Sequence, residues 1–340
     1  YTTNLTDNAH QLDERVTFAN SVVKKEDYAS KRLSYNLSEG GIDAYDEVVG
    51  TLFDPTERDK LEWAVGAILT GDARDIQKFI VLYGPAGAGK STYIKFFEWL
   101  FEGYTTTFEA KALTSSSNAF STEVFRHNPL VAIQHDGDLS RIEDNTKLNS
   151  IVSHEDMTMN EKFKSSYTAK IFAFLVMGSN KAVKITDAKS GLIRRLIDVQ
   201  PSGRKLPERR YHMLMFQIKL ELGAIAHHCI EKYRAMGRDY YSSYKPVEMM
   251  LQTDVFFNYI EHFFDVFDEN DGVSLSHAYT LYKQYCADAL VEYKLPLHRF
   301  RDELRNYFED FHERYEVGGV RHRSYYTGFI KDHFEVKQVE

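Results

Sequence analysis

Apolar and polar positions along this chain alternate between two periods. From Asp54 and Pro55 a helical spacing carries Leu61, Trp63, Ala64 and Ile68 and stops near Gly71. Residues 79–83 form an unbroken apolar run, short enough for a buried strand. Strand patterns follow at 105–110, 130–135, 171–177 and 192–199, separated by helical patterns at 93–101, 114–125 and 146–154. The polar, basic stretch 157–170 predicts a hairpin. Strands alternating with helices predict an α/β core around a mostly parallel sheet. Before residue 50 the chain is polar and predicted mostly helical, with a break at Gly40 and Gly41.

After Pro201 and Gly203 the character changes. Residues 211–236 predict one long amphipathic helix and 240–246 a linker. A helix at 274–290 carries Tyr279, Tyr282 and Tyr285, and a second takes its apolar face from Leu297, Phe300, Leu304, Tyr307 and Phe308. Residues 315–326 predict two short strands around Gly318 and Gly319. The expected division is a helical linker or collar at 1–53, a core at 54–240 and a separate module at 241–340.

Composition narrows this picture only a little. With 340 residues, 43% hydrophobic and 27% charged, the chain has an ordinary globular make-up and length for two or three domains. No apolar run approaches a membrane span, and no signal peptide pattern is present, so a cytoplasmic, non-membrane protein is expected. The net charge of −8 argues against a generally basic nucleic-acid coat but leaves a local basic channel open. Cys229 and Cys286 have no metal spacing and are expected to be buried thiols. The chain opens on Tyr1 rather than Met, which fits a piece of a longer polypeptide.

The densest chemistry follows the apolar run at 79–83. Gly84, Pro85, Ala86, Gly87, Ala88, Gly89, Lys90, Ser91 and Thr92 read G-x-x-x-x-G-K-[ST] between a strand and a helix. Glycines let backbone N–H groups converge on one spot, Lys90 adds a charge, Ser91 offers a hydroxyl to Mg²⁺, and the helix N-terminus faces the same anion. A nucleoside triphosphate with its metal needs all of these together, so ATP and Mg²⁺ are expected.

Hydrolysis also needs a carboxylate and a group that places water. Asp136 follows the strand pattern at 130–135, where open α/β sheets bind ligands, and Asp138 lies two residues on. Asp136 either holds the metal with Asp138 in support, or is the base while Ser91 and water hold the metal. Asn180 ends the next apolar run, where a neutral amide can touch the γ-phosphate without adding negative charge. Arg194 and Arg195 stand before the last strand pattern; an alternating strand would send them opposite ways, and Arg194 is the one expected to act. Two patterns carry no site. Residues 268–272 resemble a calcium loop but have Ala278 at its twelfth position, and His227 and His228 are adjacent on a helix and cannot share a face.

Together these segments resemble a superfamily 3 helicase of the AAA+ type, in particular the helicase half of phage and poxvirus primase-helicases. The resemblance rests on 84–92, on 131–138, on 174–180 and on 191–197. It departs at His135, where a first acid is usual, and at Lys181 and Ala182, where a proline often stands.

The resemblance implies a P-loop NTPase core and a ring, usually a hexamer, with ATP between subunits and an arginine acting on the neighbour's γ-phosphate. It implies a pore hairpin at 160–170, in which Lys162 and Lys164 meet phosphates and Phe163 or Tyr167 stacks on single-stranded DNA. It also implies a C-terminal winged helix on duplex DNA and a primase or polymerase domain on the same polypeptide. An ATP-driven DNA helicase or translocase of phage or viral replication, in the host cytoplasm if phage-encoded, is the expectation. A replication initiator or helicase loader without unwinding activity is the alternative, and a DNA-packaging motor a third.

Overall fold

The computed structural model describes residues 16–22, 31–114, 121–137, 146–160, 165–183, 191–247, 249–250, 254–289, 291, 294–331 and 334. The chain divides into two units, one of residues 1–183 with 194–244, the other of 184–193 with 245–340.

In the first unit, β1 (Val16–Thr17) pairs in parallel with β2 (Lys31–Arg32). The expectation of a mostly helical start is therefore corrected: among the described residues, helix begins only at α1 (Asp43–Leu52). Two-residue strands are held by contacts distant in sequence, here Leu33 N–H on Thr17 O and Arg32 N–H on the Tyr104 hydroxyl, and leave no local period to read. Helix α2 (Pro55–Thr70) starts with a proline in its first turn and ends at Gly71 in the left-handed region.

Five parallel strands make the central sheet: β3 (Phe79–Tyr83), β4 (Thr105–Thr107), β5 (Val131–Gln134), β8 (Phe174–Ser179) and β9 (Leu196–Val199), in the order β4-β5-β8-β3-β9. Between β3 and β9 run α3 (Lys90–Leu100), α4 (Ala110–Thr114), α5 (Thr146–Val152) and the antiparallel pair β6 (Asp156–Met159) and β7 (Tyr167–Lys170). Strands β3, β5, β8 and β9 are buried throughout, which is why they read as apolar runs rather than alternations. Two boundaries differ from expectation. The segment 114–125 is not one helix: α4 ends at Thr114 and only a 3-10 turn, Glu123–Phe125, follows among the described residues. The arginine pair sits in a 3-10 turn, Ile193–Arg195, ahead of β9 rather than inside a strand.

Helix α6 (Glu208–Met236) runs for 29 residues and packs on α1 and α2. Trp63 anchors one end of that contact, its ring 5.9 Å from Tyr233 and its Nε1 donating to Gly237 O. Glu62 is buried there but matched, with Arg58 Nε at 2.6 Å and His228 Nε2 at 3.1 Å, so His228 is a structural partner. Cys229 lies fully buried beside it as a free thiol.

The second unit runs helix Val255–His262, helix Phe264–Asn270, β10 (Gly272–Ser274), helix Leu275–Asp288, helix Leu297–Leu304, β11 (Phe308–Val317) and β12 (Val320–Phe329). Its sheet is antiparallel with β12 in the middle. The terminal hairpin is longer than the predicted short strands, because Phe308 and Phe329 bury against Phe267 and Phe264, with Tyr326 against Phe308, and extend the pairing inward. Among the described residues no helix is long and apolar enough to cross a membrane.

Candidate functional site

All strands of the central sheet run the same way, so their C-terminal ends share one edge, and the loops after β3, β5 and β8 meet there. After Tyr83 the chain turns through Gly84, Gly87 and Gly89 at φ of 147°, 73° and 107°, backbone that L side chains rarely adopt. Gly84 N–H donates to Ser179 O, tying this turn to the end of β8. Helix α3 then begins at Lys90. Ser91 is exposed on the first turn, whereas Thr92 is buried and its hydroxyl lies 3.0 Å from the Tyr211 hydroxyl of α6.

Lys90 folds back into the turn it follows. Its Nζ donates to Gly84 O at 2.6 Å, to Pro85 O at 2.9 Å and to Asn180 Oδ1 at 2.9 Å. Asn180 Nδ2 in turn donates to both carboxylate oxygens of Asp136, at 3.2 and 3.1 Å. One amide thus bridges a cation and an anion, and Lys90, Asn180 and Asp136, 90 residues apart at the extremes, form one chain of hydrogen bonds. Burial pushes the Lys90 ammonium below its usual pKa, and the charge of Asp136 opposes that only in part.

Close backbone packing sets this geometry. Gly178 lies where β8 passes the end of β5; a Cβ there would meet His135 O at 2.3 Å. Gly137 N–H donates to Gly178 O at 3.0 Å, holding Asp136 across from Asn180. His135, the departure from the usual acid pair, turns the other way, with Nε2 3.2 Å from Glu98 Oε1 on α3. Asp136 is therefore the described carboxylate beside Asn180, and Asp138 lies outside the described residues.

The arginine pair lies at the opposite edge of the sheet. Leu196 pairs with Phe79 at the start of β9 and β3, which places Arg194 and Arg195 beside Lys78. Each strand rises roughly 3.3 Å per residue, so five residues of β3 put this pair on the order of 15 Å from the turn holding Lys90. The two arginines stand in a turn and not a strand, so strand alternation does not set their directions, and both line one cleft, though they differ in exposure. Arg194 is exposed; Arg195 is 7% exposed and donates from Nη2 to Ser153 Oγ at 2.6 Å.

In the β6–β7 pair, Tyr167 sits opposite Met159 and is 41% exposed. Lys162, Phe163 and Lys164 lie in the connection between those strands, outside the described residues. Tyr211, Lys78, Ser153 and Gly178 are the functional neighbours that the sequence reading missed. Lys78 alone carried a signal, being a charged residue directly before a fully apolar strand.

The segment 82–195 matches a family of unknown function, DUF5906. That span runs from inside β3 to the arginine pair and contains every residue named above from Gly84 to Arg195. The fold is similar to solved structures of the NrS-1 C terminal region. One apo structure of residues 305–718 aligns with a TM-score of 0.50 at 13% identity, covering 86% of this chain and 77% of that one. An A-form apo structure of the same region aligns at 0.50 and 14%, covering 92% and 84%. At such identity the likeness is one of fold.

Proposed function

We propose that this chain is the ATP-driven motor of a phage or viral replication helicase, a superfamily 3 enzyme of the AAA+ type working as a ring, usually of six copies. The observation that carries the proposal is the hydrogen-bonded chain Lys90–Asn180–Asp136 at one edge of the sheet, with Arg194 at the other. Gly84 to Thr92 would cradle the triphosphate of ATP through backbone N–H groups and the α3 N-terminus. Ser91 and Asp136 offer the hard oxygen ligands that Mg²⁺ prefers, and the ion would offset charge on the phosphates.

Lys90 now spends its three donors on Gly84 O, Pro85 O and Asn180. An anion in the turn exchanges those partners for phosphate oxygens. Releasing Asn180 would free its amide to orient the attacking water, with Asp136 beside it either on the metal or, where Ser91 and water hold the metal, as the base. Arg194 is too far from Lys90 to serve its own chain's nucleotide, which supports a site completed by a second copy. Tyr167 on β7, with Lys162, Phe163 and Lys164 in the same hairpin, supplies a stacking ring and positive charge of the kind that grips single-stranded DNA. In the second unit, the order two helices, strand, two helices, two strands, with the last strand central, supports a winged helix that would contact duplex DNA.

The test is strand displacement on forked DNA with ATP and Mg²⁺, comparing the protein with Lys90→Ala and Lys164→Ala. ATP-dependent release is expected, with Lys90→Ala losing hydrolysis and release and Lys164→Ala losing release alone. ATP hydrolysis without release in any oligomeric state would replace the helicase by an initiator or loader.

A further inference from the structure

Helix α5 ends in a way that singles out His154. The His154 N–H donates to Ile151 O at 3.1 Å, and the Glu155 N–H donates to Ser150 O at 3.0 Å. Such a pair of bonds closes a helix around a residue in the left-handed region, where glycine is usual because a Cβ strains the backbone. Here that residue is His154, at φ of 54°. Its ring makes use of the position. Nδ1 lies 2.8 Å from Ile171 O, and Nε2 lies 3.3 Å from both Ala73 O and Ile76 O. Carbonyl oxygens only accept, so each ring nitrogen is placed to donate. Asp156 and Lys170 are the outermost pair of the β6–β7 hairpin, so His154 and Ile171 stand at its two feet. Ala73 lies within the 3-10 turn Asp72–Asp75 ahead of β3, and Ile76 ends it. The same turn meets the second foot again, because Phe172 lies 5.5 Å from the His154 ring and 5.0 Å from the Arg74 guanidinium. The turn is itself fixed, Asp72 accepting from the Tyr233 hydroxyl at 2.7 Å and Asp75 from Arg238 at 2.8 Å.

We propose that His154 is a positioning residue: its imidazole fastens both feet of the β6–β7 hairpin to the turn ahead of β3, and so sets where the hairpin meets single-stranded DNA. The DNA clause rests on the helicase reading above; the fastening does not. Among the described residues β6 and β7 pair with each other and not with the five-stranded sheet, and most of their side chains are exposed. A two-stranded hairpin is marginal on its own in water, so its orientation is decided at its feet. Ser153 adds a further tie at the first foot, its hydroxyl accepting from Arg195 at 2.6 Å. Glycine would suit the backbone at 154 better, so what the position holds is the ring and its three carbonyl partners.

The experiment compares the full chain with His154→Gly, which relieves the left-handed backbone and removes only the ring. Amide hydrogen exchange along β6 and β7 is expected to quicken about tenfold or more, while β3 and β8 stay protected. Phe172→Leu, which takes the ring contacts from the other foot, is expected to shift exchange in the same direction. Unchanged exchange in the hairpin of His154→Gly overturns the fastening. ATP hydrolysis without DNA is expected to stay within about twofold of the unaltered chain, while strand release from forked DNA falls about tenfold and single-stranded DNA binds more weakly. Hydrolysis and release that fall equally make His154 an ordinary packing residue and overturn the positioning role, as does release that persists unchanged. An unaltered chain that hydrolyses ATP yet binds no single-stranded DNA overturns the DNA clause together with the helicase reading, and hydrogen exchange then still decides the fastening.

Discussion

The two edges of the central sheet each hold a buried lysine, and they treat it differently. At the C-terminal edge Lys90 is surrounded by acceptors and linked through Asn180 to the carboxylate of Asp136. At the N-terminal edge Lys78 donates, among the described residues, to the carbonyl oxygens of Arg194 and Tyr244 and stands beside two arginines. At the first edge the carboxylate is tied into the lysine's own hydrogen-bond chain; at the second, Asp75 pairs with Arg238 instead. A parallel sheet explains the separation, because its connections gather all C-terminal ends on one side and all N-terminal ends on the other. The difference teaches that one sheet can present a lysine at each end in opposite settings, hydrogen-bonded toward a carboxylate at one and to main-chain oxygens beside arginines at the other.

The sharpest way to break this comparison is Lys90→Ala. Loss of ATP hydrolysis by about a thousandfold is expected, together with weaker nucleotide binding, read by steady-state assay and fluorescence titration. Retained hydrolysis would leave the first edge without its assigned role. Next comes Arg194→Ala, expected to lower hydrolysis by roughly a thousandfold while nucleotide binding stays. The adjacent Arg195→Ala is expected instead to cost about 1–3 kcal/mol of stability in denaturant unfolding, since its buried guanidinium holds Ser153. If the two arginines exchange these outcomes, Arg195 is the acting residue.

A smaller effect is expected from Gly178→Ala. The added methyl must displace the His135 carbonyl, costing about 1–3 kcal/mol and parting Asp136 from Asn180. Denaturant unfolding reads the stability, and hydrolysis falls with it only if that contact is used. The smallest effect is a titration. The folded-state pKa of Lys78, about 8, lies below its usual 10.5. The unfolded chain therefore binds the extra proton between those values, and this group's contribution to stability rises as pH climbs from about 8 to 10.5. In Arg194→Ala the NMR titration of Lys78 is expected to move upward, because a neighbouring cation is gone.

Much of this architecture was legible in the residues. Fully buried strands leave continuous apolar runs, so β3, β5 and β8 announced themselves, and Asp136 and Asn180 followed from standing just past two of them. The glycine turn was legible because its backbone tolerates few other residues. What stayed hidden depends on contacts far apart in sequence. The pairing of β1 with β2, the meeting of Tyr211 with Thr92 and the main-chain partners of Lys78 involve no local period. The arginine pair was expected on a strand that would send its side chains opposite ways; it stands in a turn, one side chain exposed and one buried, and both line the same cleft.

Helix α6 touches both edges. Near its start the Tyr211 hydroxyl meets Thr92, two residues past Lys90, and just beyond its end Gly237 O takes the Trp63 indole N–H while Arg238 reaches Asp75 in the cleft. Its 29 residues span on the order of 43 Å at about 1.5 Å each, without a proline to bend it. Fastened at both ends, it ties the two edges of the sheet together through one unbroken helix.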